Sequence, residues 1–320
     1  MGKNATNSTP HATRPTGGAN QAGSSFIPMK SPLSLRDQLS LMKGRGLLVE
    51  DEASALSHLA ESNYYRLRGY WLTLESGGVF IPGTTFDDIW EIYLLDAELR
   101  DWVWRALAPI EVKARTSFAY HMSMALGPLA HEDSNNFFSS KSHARSMGNL
   151  KRERDRALDD GVPCVVHNMG KYGDLPIWAA VEVMSMGTVS QLYGNLADSA
   201  AYPNGTSVRA AVARDFGAKP FILRSWLRHL TYVRNICAHH SRLFNRVMTT
   251  RPTMLSPDSA YKGDKQFPTL LVIRRIYESS WPQRWDDLGT ELSAIVGRHP
   301  SVSLAPMGFP IDWKRPLRIR

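Results

Sequence analysis

Phe221-Ile222-Leu223-Arg224-Ser225-Trp226-Leu227-Arg228-His229-Leu230-Thr231-Tyr232-Val233-Arg234-Asn235-Ile236-Cys237-Ala238-His239-His240-Ser241-Arg242-Leu243-Phe244-Asn245-Arg246 contains neither Pro nor Gly. Its apolar residues recur at steps of three and four, which predicts one helix of about seven turns. On a wheel of about 100° per residue, Leu223, Trp226, Leu230, Val233, Ile236, Cys237, Phe244 and Val247 gather on one side as a core stripe. Arg224, Arg228, Thr231, Asn235, His239, Arg242 and Arg246 follow one another on the other side, within about 40° of Asn235. Guanidinium groups sharing one ridge repel each other, so the ridge is expected to face an anion.

Within the ridge stands Arg234-Asn235-Ile236-Cys237-Ala238-His239. An R-N-x-x-x-H pattern on the last long helix of an all-helical unit resembles the active-site signature of HEPN ribonucleases. The bare Arg-to-His spacing is common by chance, but the longer run from Val233 to Arg246 is similar to the corresponding segment of the Abi family, the AbiD and AbiF type of bacterial abortive-infection proteins. The likeness extends to Arg45-Gly46-Leu47, to Tyr64-Tyr65-Arg66-Leu67-Arg68-Gly69-Tyr70, to Pro176-Ile177-Trp178, to Ser185 through Ser190 and to Met307 through Trp313, so it covers roughly residues 32–313.

The resemblance implies an all-α, multi-helix HEPN-like bundle with additional N-terminal and C-terminal helices, its HEPN core at about 86–250 inside a helical domain over 31–320. It also implies an endoribonuclease of phage defence, a homodimer whose two motifs face each other across a two-fold axis, and a supporting role for an acidic residue and an Arg, matched here by Glu111 and Arg115.

RNA carries its own nucleophile in the 2′-hydroxyl. Cleavage needs a base for that proton, an acid for the leaving 5′-oxygen and positive charge for the phosphate. Histidine changes charge between pH 5 and 8, which suits His239 to the proton transfers. The planar guanidinium of Arg234 suits the non-bridging oxygens, and Asn235 can orient either. On a straight helix Arg234 and His239 lie about 140° apart and about 7.5 Å along the axis. Either Arg234 reaches around, the helix deforms, or a second copy completes the site; the resemblance implies the last. His240 falls in line with Val233, Ile236 and Phe244 and reads as a core histidine, with pairing to Arg234 as the alternative register. Arg224, Arg228, Arg242 and Arg246 are the expected RNA-binding residues. No metal or cofactor is expected, since Cys237, His239 and His240 spread around the helix and no Gly-rich Lys-Ser/Thr loop is present.

A net charge of +8 and a pI near 9.5 agree with an acidic partner, for which RNA is the expectation. Cys164 and Cys237 are too few for a disulfide scaffold, and no segment is apolar enough for a membrane span, so a cytoplasmic protein is expected. Residues 1–30 are rich in Asn, Ser, Thr and Gly and are expected to be a disordered tail.

The remaining pattern predicts a short helix capped by Ser34, a second from Asp51 burying Ala53, Leu56, Leu59 and Ala60, and a long one from Phe86 to His121 kinked at Pro109. It predicts a solvated, mixed-charge stretch over 127–160, a helix from Pro176 burying Trp178, Val181, Met184, Val189 and Leu192, a short one over Ser207–Phe216, and two more near 269–277 and 285–296. Two other readings stand beside the nuclease: a non-catalytic RNA-binding protein holding a cognate non-coding RNA, and a toxin acting through protein contacts. An active nuclease also needs restraint, by RNA or by an antitoxin protein.

Overall fold

The computed structural model describes residue 29 and residues 31–319, so the tail expected over 1–30 lies, Met29 apart, outside the described residues. The fold is all-α. Its first helix, α1 (Leu35–Gly44), starts at Ser34, whose hydroxyl accepts from the Asp37 amide at 3.2 Å while the Asp37 carboxylate accepts from the Ser34 amide. Asp51 caps α2 (Glu52–Ser62), and α3 (Tyr64–Arg68) follows at once. The buried line of α2 is Ala55, Leu59 and Ser62; Ala53 and Ala60, expected on that face, are exposed because α2 turns towards α1 and α3. Gly77 and Gly78, both at positive φ, then close a hairpin of β1 (Glu75–Ser76) and β2 (Val79–Phe80), the two-residue turn that demands such backbone.

The 41-residue α4 (Phe86–Leu126) is the axle of the molecule. Thr85 and Asp88 form its capping box, and it continues through Pro109 to Leu126, five residues past the predicted end. Ile89, Leu95, Leu99, Val103, Ala106, Ile110 and Phe118 are buried as the spacing required.

The charged stretch is α5 (Ser140–Asp159), a solvated helix with Leu150 and Ala157 turned inward. After α6 (Pro163–Tyr172) come α7 (Ile177–Val183) and α8 (Met186–Asn195) where one helix was expected. Met184 is extended and Ser185 caps α8 by accepting from the Thr188 amide at 3.1 Å, so the two short helices diverge and Trp178 is left exposed.

Then follow α9 (Val208–Asp215), α10 (Pro220–Ala238), α11 (Phe267–Ser280), α12 (Pro282–Arg298) and α13 (Lys314–Leu317). α10 lies against α4, α8, α9 and α11, and α4 touches α7, α8, α9, α11 and α12 as well. The C-terminal helices are tied to the axle: the Tyr277 hydroxyl donates to the Ala106 carbonyl at 2.9 Å, the Trp102 indole to Leu288 at 3.0 Å, and Arg105 pairs with Glu291. One apolar core runs from Leu39 to Leu317. Among the described residues no helix is long and apolar enough to cross a membrane.

Candidate active site

The R-N-x-x-x-H segment ends α10 rather than lying within it. The predicted seven-turn helix stops at Ala238, with His239 as its cap and His240 at φ 49°. The His240 amide donates to the Cys237 carbonyl at 3.0 Å and the Ser241 amide to Ile236 at 2.9 Å. These are the paired bonds of a Schellman stop, with His240 where glycine usually stands. The chain then turns back, and every wheel position beyond His239 is displaced. His240 is exposed, not core. Val247, expected in the core stripe, is exposed too, while Phe244 is buried through the loop rather than through the helix face.

Arg242 and Arg246 therefore leave the basic ridge. The Arg242 guanidinium donates to the Phe244 carbonyl at 2.8 Å, and Arg246 Nε donates to the Arg242 carbonyl at 2.8 Å. Burial lowers the Arg242 guanidinium from its ordinary value. Both arginines are occupied in shaping the loop after the motif, and the exposed ridge is reduced to Arg224, Arg228, Asn235 and His239, with Thr231 half-buried between them.

What holds that loop is a residue the sequence did not advertise. Asp96 on α4 is fully buried and its carboxylate accepts from the Leu243 amide at 3.0 Å, the Phe244 amide at 2.6 Å, the Tyr70 hydroxyl at 2.7 Å and the Arg100 guanidinium. Burial raises the carboxyl above the ordinary carboxylate range, and those donors oppose the rise.

The Tyr64–Tyr70 segment closes over the same loop: Arg66 Nη1 donates to the His240 carbonyl at 2.7 Å, and Gly69 lies where any Cβ would sit 2.8 Å from Arg242 Nε. Gln266, at the foot of α11, donates to the carbonyls of Leu243 at 2.6 Å and Arg246 at 2.8 Å. Arg66, Gly69, Tyr70, Asp96 and Gln266 are thus site-building residues that periodicity could not reveal. The only signal was that the aromatic run and the motif belong to one resemblance.

Arg234 is brought together with Glu111, which also holds Arg115. Arg234 Nε donates to Glu111 Oε2 at 3.3 Å, and its guanidinium carbon stands 4.8 Å from the centre of the Trp104 ring. Glu111 also accepts from Arg115, whose Nη1 donates to the Val181 carbonyl at 2.6 Å. Glu111 and Arg115 are half-buried, and they fix the stem of Arg234 while leaving a third of its side chain exposed. Among the described residues the Nη atoms of Arg234 make no hydrogen bond within the chain. Asn235 and His239 are exposed on the same end of α10. Cys237 turns into the core, and burial pushes its thiol up to about 12, which keeps it protonated.

A family model described as "Abi-like protein" matches residues 57–245, which takes in α4, the charged helices and the whole of the motif with the loop behind it. Comparison with curated proteins and with solved structures found no match.

Proposed function

The chain belongs to the Abi-like protein family, and on that premise we propose that it is a metal-independent endoribonuclease, a toxin-like effector of abortive-infection phage defence. The observation that carries the reading is the presentation of Arg234, Asn235 and His239 at one solvent-reached helix end, with Arg234 clamped by Glu111 and Trp104 and its terminal nitrogens without a hydrogen bond among the described residues. A guanidinium so held offers two parallel N–H groups to a phosphate without losing rotamer freedom on binding. The 2′-oxygen forms the new bond to phosphorus, the bond to O5′ breaks, His239 accepts the 2′-hydroxyl proton, and a proton returns to O5′ from an equivalent imidazole of a second copy. Products are a 2′,3′-cyclic phosphate and a 5′-hydroxyl.

Support for pairing of copies lies in the same end of the molecule. Arg234 and His239 remain about a turn and a half apart, and Trp104 against Arg234 is an exposed apolar side chain. A homodimer sharing the site then requires that a strictly monomeric form be inactive; full turnover by a monomer contradicts it.

The test of the histidine assignment is a comparison of His239→Ala with His240→Ala. Loss of cleavage in the first alone is the expected result. Loss in the second alone, with both proteins folded, overturns it.

The non-catalytic alternative is that the same surface holds a cognate non-coding RNA, which would also serve as restraint; retained RNA with no cyclic-phosphate product in any condition favours it. An antitoxin protein is the other form of restraint, and tight RNA association by the purified protein counts against a toxin acting on proteins alone.

A further inference from the structure

Two grooves adjoin on the exposed flank of α10, well away from His239. The first, about 390 Å³, is lined by Ser139 and Ser142 at the start of α5, by Ser190 and Gln191 of α8, and by Arg224 and Arg228. The second, about 280 Å³, is lined by Arg224 and Arg228 from the other side, with Phe221, Thr249, Thr250 and Arg251. Among the described residues no carboxylate lines either groove. Many arginines of this protein are paired: Arg100, Arg105, Arg115, Arg154, Arg209, Arg234, Arg274, Arg275 and Arg298 meet a carboxylate, and Arg242 and Arg246 meet carbonyls. Arg224, Arg228 and Arg251 have no such partner among the described residues, so three cations stand together in concave, hydroxyl-rich surface with their charge unanswered.

The walls are built rather than incidental. Both polar atoms of the Asn195 side chain bond the Ser139 backbone, at 3.0 Å to the amide and 2.9 Å to the carbonyl, which locks the start of α5 to the end of α8. The Arg224 stem lies against Gly194 of α8, its Cγ and Nε 3.4 Å from where a Cβ would stand, and it carries its guanidinium to the groove. Phe221 is 62% exposed at the far end, an aromatic face open to solvent among the described residues.

We infer that these twin grooves are a phosphate-binding extension of the active site, holding the sugar-phosphate backbone of a single polynucleotide strand several nucleotides from the scissile bond. The inference rests on the nuclease reading for the direction of the strand, along α10 from His239, but not for the ligand class. Arg228 and His239 are eleven residues apart, about 16 Å along the helix and its cap, a span that a mononucleotide or dinucleotide cannot bridge. Arginines supply the backbone contacts, the hydroxyls of Ser139, Ser142, Thr249 and Thr250 supply neutral ones, and Phe221 offers a stacking surface that accepts any base. Recognition is accordingly of phosphate and length, with little regard for sequence or for the 2′-hydroxyl.

The experiment measures binding of fluorescein-labelled single-stranded RNA of five and fifteen nucleotides, and of fifteen-nucleotide DNA of the same sequence, to the full chain carrying His239→Ala, with and without Arg224→Ala and Arg228→Ala. Salt is varied, and circular dichroism controls for folding. The fifteen-nucleotide RNA and DNA should both bind at least about tenfold more tightly than the short RNA. The double substitution should remove that advantage and lower the slope of log affinity against log salt by about 1.4, two contacts at about 0.7 each for a single strand. Arg224→Lys with Arg228→Lys should restore most of the slope, which a structural role for the arginine stems alone would not. Equal binding of short and long strands, or an unchanged salt slope in the folded double variant, overturns the inference even if cleavage is real. Length-dependent binding without any cleavage by the unsubstituted chain leaves it standing and removes the nuclease reading instead.

Discussion

Asp96 is the residue on which the geometry of the motif loop turns. Its carboxylate replaces solvent for the amides of Leu243 and Phe244 and neutralises Arg100, which is itself buried. Asp96→Ala leaves Arg100 buried without its partner and is expected to destabilise the protein by about 3–5 kcal/mol in urea unfolding. A loss below about 1 kcal/mol contradicts the role. Gly69→Ala is expected to cost about 1–3 kcal/mol by pushing on Arg242, and a double-mutant cycle with Arg242→Ala should show most of that cost relieved. Additive costs would mean the two residues do not meet. Arg234, Asn235 and His239 were legible in the sequence because the motif is contiguous. Asp96 was not, since Leu94-Leu95-Asp96-Ala97-Glu98-Leu99-Arg100 reads as a helix with ordinary surface charges, and nothing in periodicity tells a buried acid from a solvated one.

Among the elements, α10 departs furthest from its reading. Its apolar stripe continues in register past Ala238, and the usual stop signal, a glycine, is missing because His240 occupies the left-handed position. The wheel therefore ran on through a loop, giving Arg242 and Arg246 a place on the ridge they do not have and His240 a place in the core. A non-glycine residue there costs about 1 kcal/mol, so His240→Gly is expected to raise stability by about that amount and to preserve cleavage, because the contribution of His240 to the site is its backbone and the carbonyl that Arg66 holds. Lost cleavage in a stabilised His240→Gly protein would move the catalytic role to His240. α4 was read nearly end to end, since its apolar positions at steps of three and four from Ile89 to Phe118 are buried, Tyr93 excepted, which is half-buried. The split into α7 and α8 was missed because no proline or glycine marks Met184, only the Ser185 cap after it.

For the molecule as a whole, burial sets the acid limit of stability. His229 donates from Nδ1 to the Thr250 carbonyl at 2.6 Å and meets the Thr269 hydroxyl through Nε2 at 2.8 Å, and burial lowers it to about 4; burial also lowers His131 to about 4. Unfolding returns both to the ordinary histidine range near 6.5. Between those limits the unfolded chain binds more protons than the folded one, so stability is full above about pH 6.5 and falls as pH drops towards 4, by on the order of 3 kcal/mol for each histidine. Thermal unfolding across that interval should show the fall largely abolished in His229→Gln with His131→Gln; an unchanged profile contradicts it.

The helices outside α4 and α10 close one core around these two, and their order was visible from the alternation of apolar periods and loops. How they wrap was not, because Arg105, Trp102 and Tyr277 meet partners far along the chain. The claim that all of this frames a nuclease is tested most directly by end-group analysis of RNA incubated with the full chain in EDTA, beside His239→Ala. The unsubstituted protein should leave 2′,3′-cyclic phosphate and 5′-hydroxyl ends and the variant none; 3′-hydroxyl ends, a strict requirement for added metal, or undiminished cleavage by His239→Ala would contradict a metal-independent nuclease.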